Sequence, residues 1–118
     1  MAAAAEHGEL FAALADPTRR QVLDLLAARG EGSASGLATV MPVSRPAVVK
    51  HLTVLDRAGL VKSRRRGREV LYSVRPEPLE SAARWMTSLA ADWDRRLAAL
   101  KRLAEESKTT TETTEISR

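Results

Sequence analysis

Near the end of the chain, Leu79, Met86, Trp93 and Leu100 recur every seven residues, and Ala83, Ala90, Leu97 and Ala104 follow each of them by four. A repeat of seven belongs to a helix that buries one narrow seam against a partner. The helical pattern runs from about Pro76 to Glu106, and a helix of about 30 residues reaches some 45 Å at 1.5 Å per residue. What precedes it builds a domain too small to cover that length. The surplus seam calls for another chain.

The whole chain has 118 residues, enough for one small domain with a single core. Hydrophobic residues make up 44% and charged residues 29%, and no apolar run approaches the roughly 20 residues that span a bilayer. The opening MAAAAEHGEL has neither the basic start nor the apolar stretch of a signal peptide. The expected location is the cytoplasm. Cysteine is absent, which removes disulfides, thiolate nucleophiles and thiolate metal sites together. The aromatic residues are four, Phe11, Tyr72, Trp85 and Trp93, too few for the stacking platform on which single strands are bound.

Four helices are expected before the long one. Residues 8–14, with Leu10, Phe11 and Leu14, form the first. In LADPTRRQVLDLL, Asp16 caps the second and Pro17 suits its first position, where the missing N–H would have had no partner. Val22, Leu23 and Leu26 then point to the core. ARGEGSAS breaks the pattern, and a short third helix follows over 35–40 with Leu37 and Val40 inward. MPV at 41–43 turns the chain. Ser44 caps the fourth helix, whose stripe of Val48, Leu52 and Leu55 ends at AGL, with Gly59 free to take the left-handed conformation past the helix end. Helix, short turn and capped helix are the parts of a helix-turn-helix.

VKSRRRGREVLYSV continues with two β-prone runs about Gly67, with Val70, Tyr72 and Val74 on one face and Arg64 to Arg68 near the tip. The order α-α-α-α-β-β-α makes a mainly helical winged helix-turn-helix over 1–107, and the polar tail 108–118 is expected to lack order. The net charge is only +4, yet residues 44–75 carry nine Lys or Arg against two acids. The positive charge therefore sits on the fourth helix and the wing.

That placement defines a candidate site. With Val48, Leu52 and Leu55 inward, Arg45, Pro46, Val49, Lys50 and Thr53 lie on the outer and flanking faces. A recognition helix puts its N-terminal residues against base edges in the major groove, where Arg makes two hydrogen bonds to guanine and an apolar group touches the thymine methyl. Arg45 and Val49 suit these roles, and Pro46 keeps the first turn rigid without losing a needed N–H. Lys50, Thr53 and the positive N-terminus of the helix are placed to meet phosphates, Ser44 and His51 belong to the same DNA-binding set, and Arg64, Arg65, Arg66 and Arg68 reach flanking phosphates or a minor groove.

LADPTRRQVLDLL followed by SRPAVVKHLTVLDRAGLVKSRRRGREVLYSV resembles the ArsR-type (ArsR/SmtB) winged-helix transcriptional regulators, over roughly residues 8–105. The resemblance implies a homodimer joined through its first and last helices, here by Leu10, Leu14, Leu79, Met86, Leu89, Trp93, Leu97 and Leu100. It implies two recognition helices reading a two-fold operator in double-stranded DNA, usually to repress transcription, with Arg45, Pro46, Val49 and Lys50 at the positions that contact bases and phosphates.

The chain departs from the metal-sensing members. Where they hold a cysteine pair in the third helix, it has Leu37, Ala38, Thr39 and Val40, and its last helix has no histidine. No metal or other cofactor is expected, and the sequence identifies no inducer. His51 has the company of a packing or phosphate-contacting residue rather than of a ligand. Trp93 falls on the seam and Trp85 off it, so Trp93 reads as packing, while Trp85 keeps both packing and a ligand pocket open. The competing reading is a winged helix that binds only protein, for which a neutral or apolar wing would be natural. No phosphate loop, thiol or Ser/His/acid grouping supports an enzyme.

Overall fold

The computed structural model describes the backbone of residues 2–117 and the side chains of residues 7–108. Its elements run α1 (Ala2–Leu14), α2 (Pro17–Arg29), α3 (Ala34–Ala38), α4 (Arg45–Arg57), β1 (Val61–Arg66), β2 (Glu69–Val74) and α5 (Pro76–Ser117). The order is the expected one. The tail expected to lack order, 108–118, lies outside the residues with described side chains apart from Lys108.

The chain divides into two compact units, residues 1–82 and residues 83–118. In the first, Leu10 and Ala13 of α1, Val22, Leu23 and Leu26 of α2, Leu37 of α3 and Val48, Leu52 and Leu55 of α4 form one core with Met41, Leu60, Val61 and Ala82. The second unit consists of the remainder of α5.

Local chemistry fixes the helix ends. Asp16 Oδ1 accepts from the backbone N–H groups of Thr18 at 2.8 Å and Arg19 at 3.2 Å, and Pro17 opens α2. Two arginines of the same turn close the other side of the corner: Arg19 donates from Nε to the Ala13 carbonyl at 2.7 Å and Arg20 from Nη1 to the Leu14 carbonyl at 2.6 Å. They satisfy carbonyls that the end of α1 leaves open. Ser44 Oγ accepts from Ala47 N–H at 3.3 Å to start α4. At its far end, Leu60 N–H donates to the Leu55 carbonyl and Gly59 N–H to the Asp56 carbonyl, both at 2.9 Å, with Gly59 at φ 76°. These two bonds are a Schellman motif, which turns the chain directly into β1.

The segment between α3 and α4 differs from expectation. α3 is capped by Ser33, whose Oγ accepts from Gly36 N–H at 3.0 Å, and it ends at Ala38. The link to α4 is therefore six residues, Thr39 to Ser44. Val40 and Met41 both donate to the Leu37 carbonyl, and this tight exit turns Val40 outward, 49% exposed, while Met41 takes the core place expected of Val40.

The wing is a two-stranded antiparallel hairpin with Arg66 opposite Glu69. Gly67 has φ 62° and Arg68 has negative φ, the pattern that a two-residue hairpin loop with glycine in first place provides. Gly32 adds a third short edge, exchanging both backbone hydrogen bonds with Tyr72 at 3.0 and 2.8 Å. The sequence shows no sign of this bridge.

Candidate nucleic-acid interface

Three side chains that point inward decide what α4 presents outward. Val48, Leu52 and Leu55 are completely buried, which holds the helix at a fixed rotation and leaves Arg45, Pro46, Val49, Lys50 and Thr53 exposed. Val49 is 42% exposed, an apolar side chain placed between two cations. The N-terminus of α4 adds the positive end of the helix dipole to this face.

The other candidates in α4 divide. Thr53 donates its hydroxyl to the Val49 carbonyl at 2.9 Å, so its oxygen offers an acceptor outward rather than a free donor. His51 is half-buried and its charge acts on Asp16, the cap of α2. His51 stands back from the exposed row of Arg45, Val49, Lys50 and Thr53.

On the wing, Arg64, Arg65, Arg66 and Arg68 are all exposed, but they do not form one face. The register pairs Arg65 with Val70 and Ser63 with Tyr72, while Arg64 pairs with Leu71 and Arg66 with Glu69. Side chains alternate along a strand, so Arg65 shares a face with Val70 and Tyr72, and Arg64 and Arg66 share the opposite one. Arg64 is also engaged: its Nε donates to Glu31 Oε2 at 3.0 Å and its Nη2 to Oε1 at 2.5 Å. The hydrogen bond from Arg64 holds the Glu31 carboxyl below its usual range, and Glu31 raises Arg64 in return.

A cleft of about 280 Å³ separates α4 from the wing, with Arg45 and Val49 on one wall and Arg68, Glu69 and Val70 on the other. Ser33 and Ser35 also line it. Sequence reading missed Ser33, Ser35 and Glu31 because they lie outside the basic run 44–75, and it counted Glu69 only as an acid within that run. An acid two residues after Gly67 and another directly after Gly30 were the available signals, since acids beside a basic surface limit what it binds.

Leu10, expected against a second chain, is packed into this chain's own core at 4% exposure. Leu14 and Leu79 are half-buried against the same core. Within the second unit, Met86, Leu89, Trp93, Leu97, Leu100 and Leu103 are 39% to 62% exposed. The guanidinium of Arg96 lies over the Trp93 ring, 5.1 Å from its centre, and Trp85 is half-buried. Among the described residues no three His, Asp or Glu side chains gather to hold a metal ion, and no helix is long and apolar enough to cross a membrane.

Known proteins share this arrangement. Residues 14–64 match a family described as a helix-turn-helix domain. The transcriptional repressor SdpR of Bacillus subtilis is 33% identical over 88 residues, which cover 75% of this chain and 97% of that protein. The HTH-type transcriptional regulator Rv2034 of Mycobacterium tuberculosis is 41% identical over 93 residues, 79% of this chain and 83% of the other. An ArsR-like transcriptional regulator from Rhodococcus sp. RHA1 superposes with a TM-score of 0.82 at 48% identity, covering 87% of this chain and 94% of that one. The chain belongs to the ArsR-type winged-helix transcriptional regulators, a class of DNA-binding proteins and not of enzymes.

Proposed function

We propose that this regulator is a cytoplasmic homodimeric repressor that sets α4 of each protomer in the major groove of a two-fold operator, with the wings on flanking DNA. The observation that carries the reading is the N-terminal face of α4, where Arg45, Val49 and Lys50 are exposed together on a helix whose rotation the core fixes. Arg45 reads a guanine edge, Val49 meets a thymine methyl, and Lys50 and the N-terminus of α4 hold phosphates. On the wing, Arg65 and Arg68 border the cleft side and are the first to meet flanking backbone. A wing that served only protein contacts would have no use for so many exposed cations.

The second chain covers the apolar stripe of α5. Exposed apolar side chains in one continuous row mark an interaction surface, and the seven-residue repeat matches a second copy of the same helix. Met86, Leu89, Trp93, Leu97 and Leu100 form that interface.

The test is fluorescence anisotropy with a duplex from the chain's own promoter against a scrambled duplex. Wild type binds the native site more tightly, and Arg45→Ala reduces that preference by at least about 5- to 100-fold, the worth of one two-bond contact to guanine, of which each protomer supplies one. Equal, weak binding to every promoter duplex by wild type overturns the reading.

A further inference from the structure

The Arg64 guanidinium is already occupied. Its two-point bond to Glu31 presents two oxygens to Nε and Nη2, the geometry with which arginine takes either a carboxylate or a phosphate. We propose that Glu31 holds, at Arg64, the place of a backbone phosphate of bound DNA, and so sets how strongly the wing grips the duplex. This rests on the reading of the chain as a DNA-binding regulator.

The backbone explains why Glu31 is there. Gly30, at φ 85°, ends α2, and Gly32 is fixed to Tyr72 by both backbone hydrogen bonds. Glu31 lies between these two anchors. Because Gly32 pairs with Tyr72, strand alternation puts Glu31 on the opposite face, the face of Leu71, Arg64 and Arg66. Both arginines favour its ionised form, Arg64 by hydrogen bond and charge and Arg66 by charge. The carboxylate therefore removes positive potential from this side of the wing.

Exposure makes the contact exchangeable. The side chains of Arg64 and Glu31 retain 57% and 37% of their accessible surface, and ion pairs in contact with water hold weakly. A duplex brings a dense row of phosphates to the wing, and one of them displaces the carboxylate. The Arg64 that sequence assigns to DNA thus contributes only after Glu31 yields.

Binding of the full chain to a random-sequence duplex tests this without knowledge of the operator. Wild type, Glu31→Gln, Arg64→Gln and the double variant are titrated by anisotropy between ~50 and ~200 mM salt, where each phosphate contact adds about 0.9 to the log-log slope. Thermal melts confirm that all four fold. Glu31→Gln is expected to bind about fivefold more tightly at ~100 mM salt, with a slope no shallower than that of wild type, because Arg64 no longer has to exchange a carboxylate for a phosphate. In the Arg64→Gln background the same change gains less than about twofold, the residue of its effect on overall charge. An equal gain in both backgrounds reduces Glu31 to bulk charge and overturns the proposal. Weaker binding by Glu31→Gln makes it a support for Arg64 and overturns it too. Wild type that fails to bind any duplex removes the DNA-binding reading as well, whereas wild-type binding with no response to Glu31→Gln removes only the role of Glu31.

Discussion

The Asp16 carboxylate joins two helices. It accepts the first N–H groups of α2 and lies 3.7 Å from Arg19, whose guanidinium also holds the end of α1. Burial raises its pKa, but the hydrogen bonds from Arg19 and Thr18 and the charges of Arg19 and His51 outweigh this and leave it lowered. A carboxylate with a depressed folded pKa stabilises the fold fully above its unfolded value, about 3.9, and this contribution is lost as pH falls through the folded value. Asp16→Ala therefore lowers the melting temperature at pH 7, and the difference from wild type narrows as pH drops below about 4. Calorimetry across that range checks it, and a gap that stays constant would mean that the charge of Asp16 plays no part. Residue types made the cap legible, since Asp before Pro before a helical stripe has few other uses. Val40 was not legible. Its side chain turns outward because α3 ends two residues before it, and helix ends leave a weaker trace than helix middles.

Elements were read best where a stripe and a stop signal coincide. In α4, the stripe of Val48, Leu52 and Leu55 and the stop at Gly59 agree with the observed rotation and Schellman end. Leu55 and Leu60, both fully buried, form the apolar contact that accompanies such an end. Leu55→Ala is expected to cost about 2 to 5 kcal/mol by urea unfolding, because it removes buried methyl groups and leaves a cavity. Gly59→Ala should cost only about 1 kcal/mol, since an added Cβ strains the positive φ but meets nothing closer than Pro78 Cγ at 3.9 Å. Equal losses for the two variants would show that the glycine is held for space rather than conformation. The wing shows the limit of the same method. Period-two reading put the strands in place, but the division of its arginines between two faces depends on register, and the Gly32 bridge is a single pair of residues with no period at all. The pairing of Glu31 with Arg64 was missed for that reason.

For the whole molecule, the informative feature is an apolar row that its own chain leaves open. From Met86 to Leu100 lie about four turns of α5, and Met86, Leu89, Trp93, Leu97 and Leu100 along them remain exposed. The exposed face was legible in the sequence, because a repeat of seven picks out one side of the helix. It overreached at Leu10, where apolar character alone does not distinguish a core position from an interface. Trp93→Glu combined with Leu97→Glu sets acidic groups into the proposed contact and replaces only exposed side chains. In sedimentation at micromolar concentration the wild type is expected to be a dimer and the variant a monomer with unchanged circular dichroism per residue. On a two-fold operator the variant should lose at least about tenfold in affinity, because each half-site is then held without the linkage that makes the second contact intramolecular. On a single half-site the two proteins should bind alike. A variant that remains dimeric would move the interface off this stripe, and a wild type that is monomeric at every concentration would remove the two-fold reading while leaving the face of α4 intact.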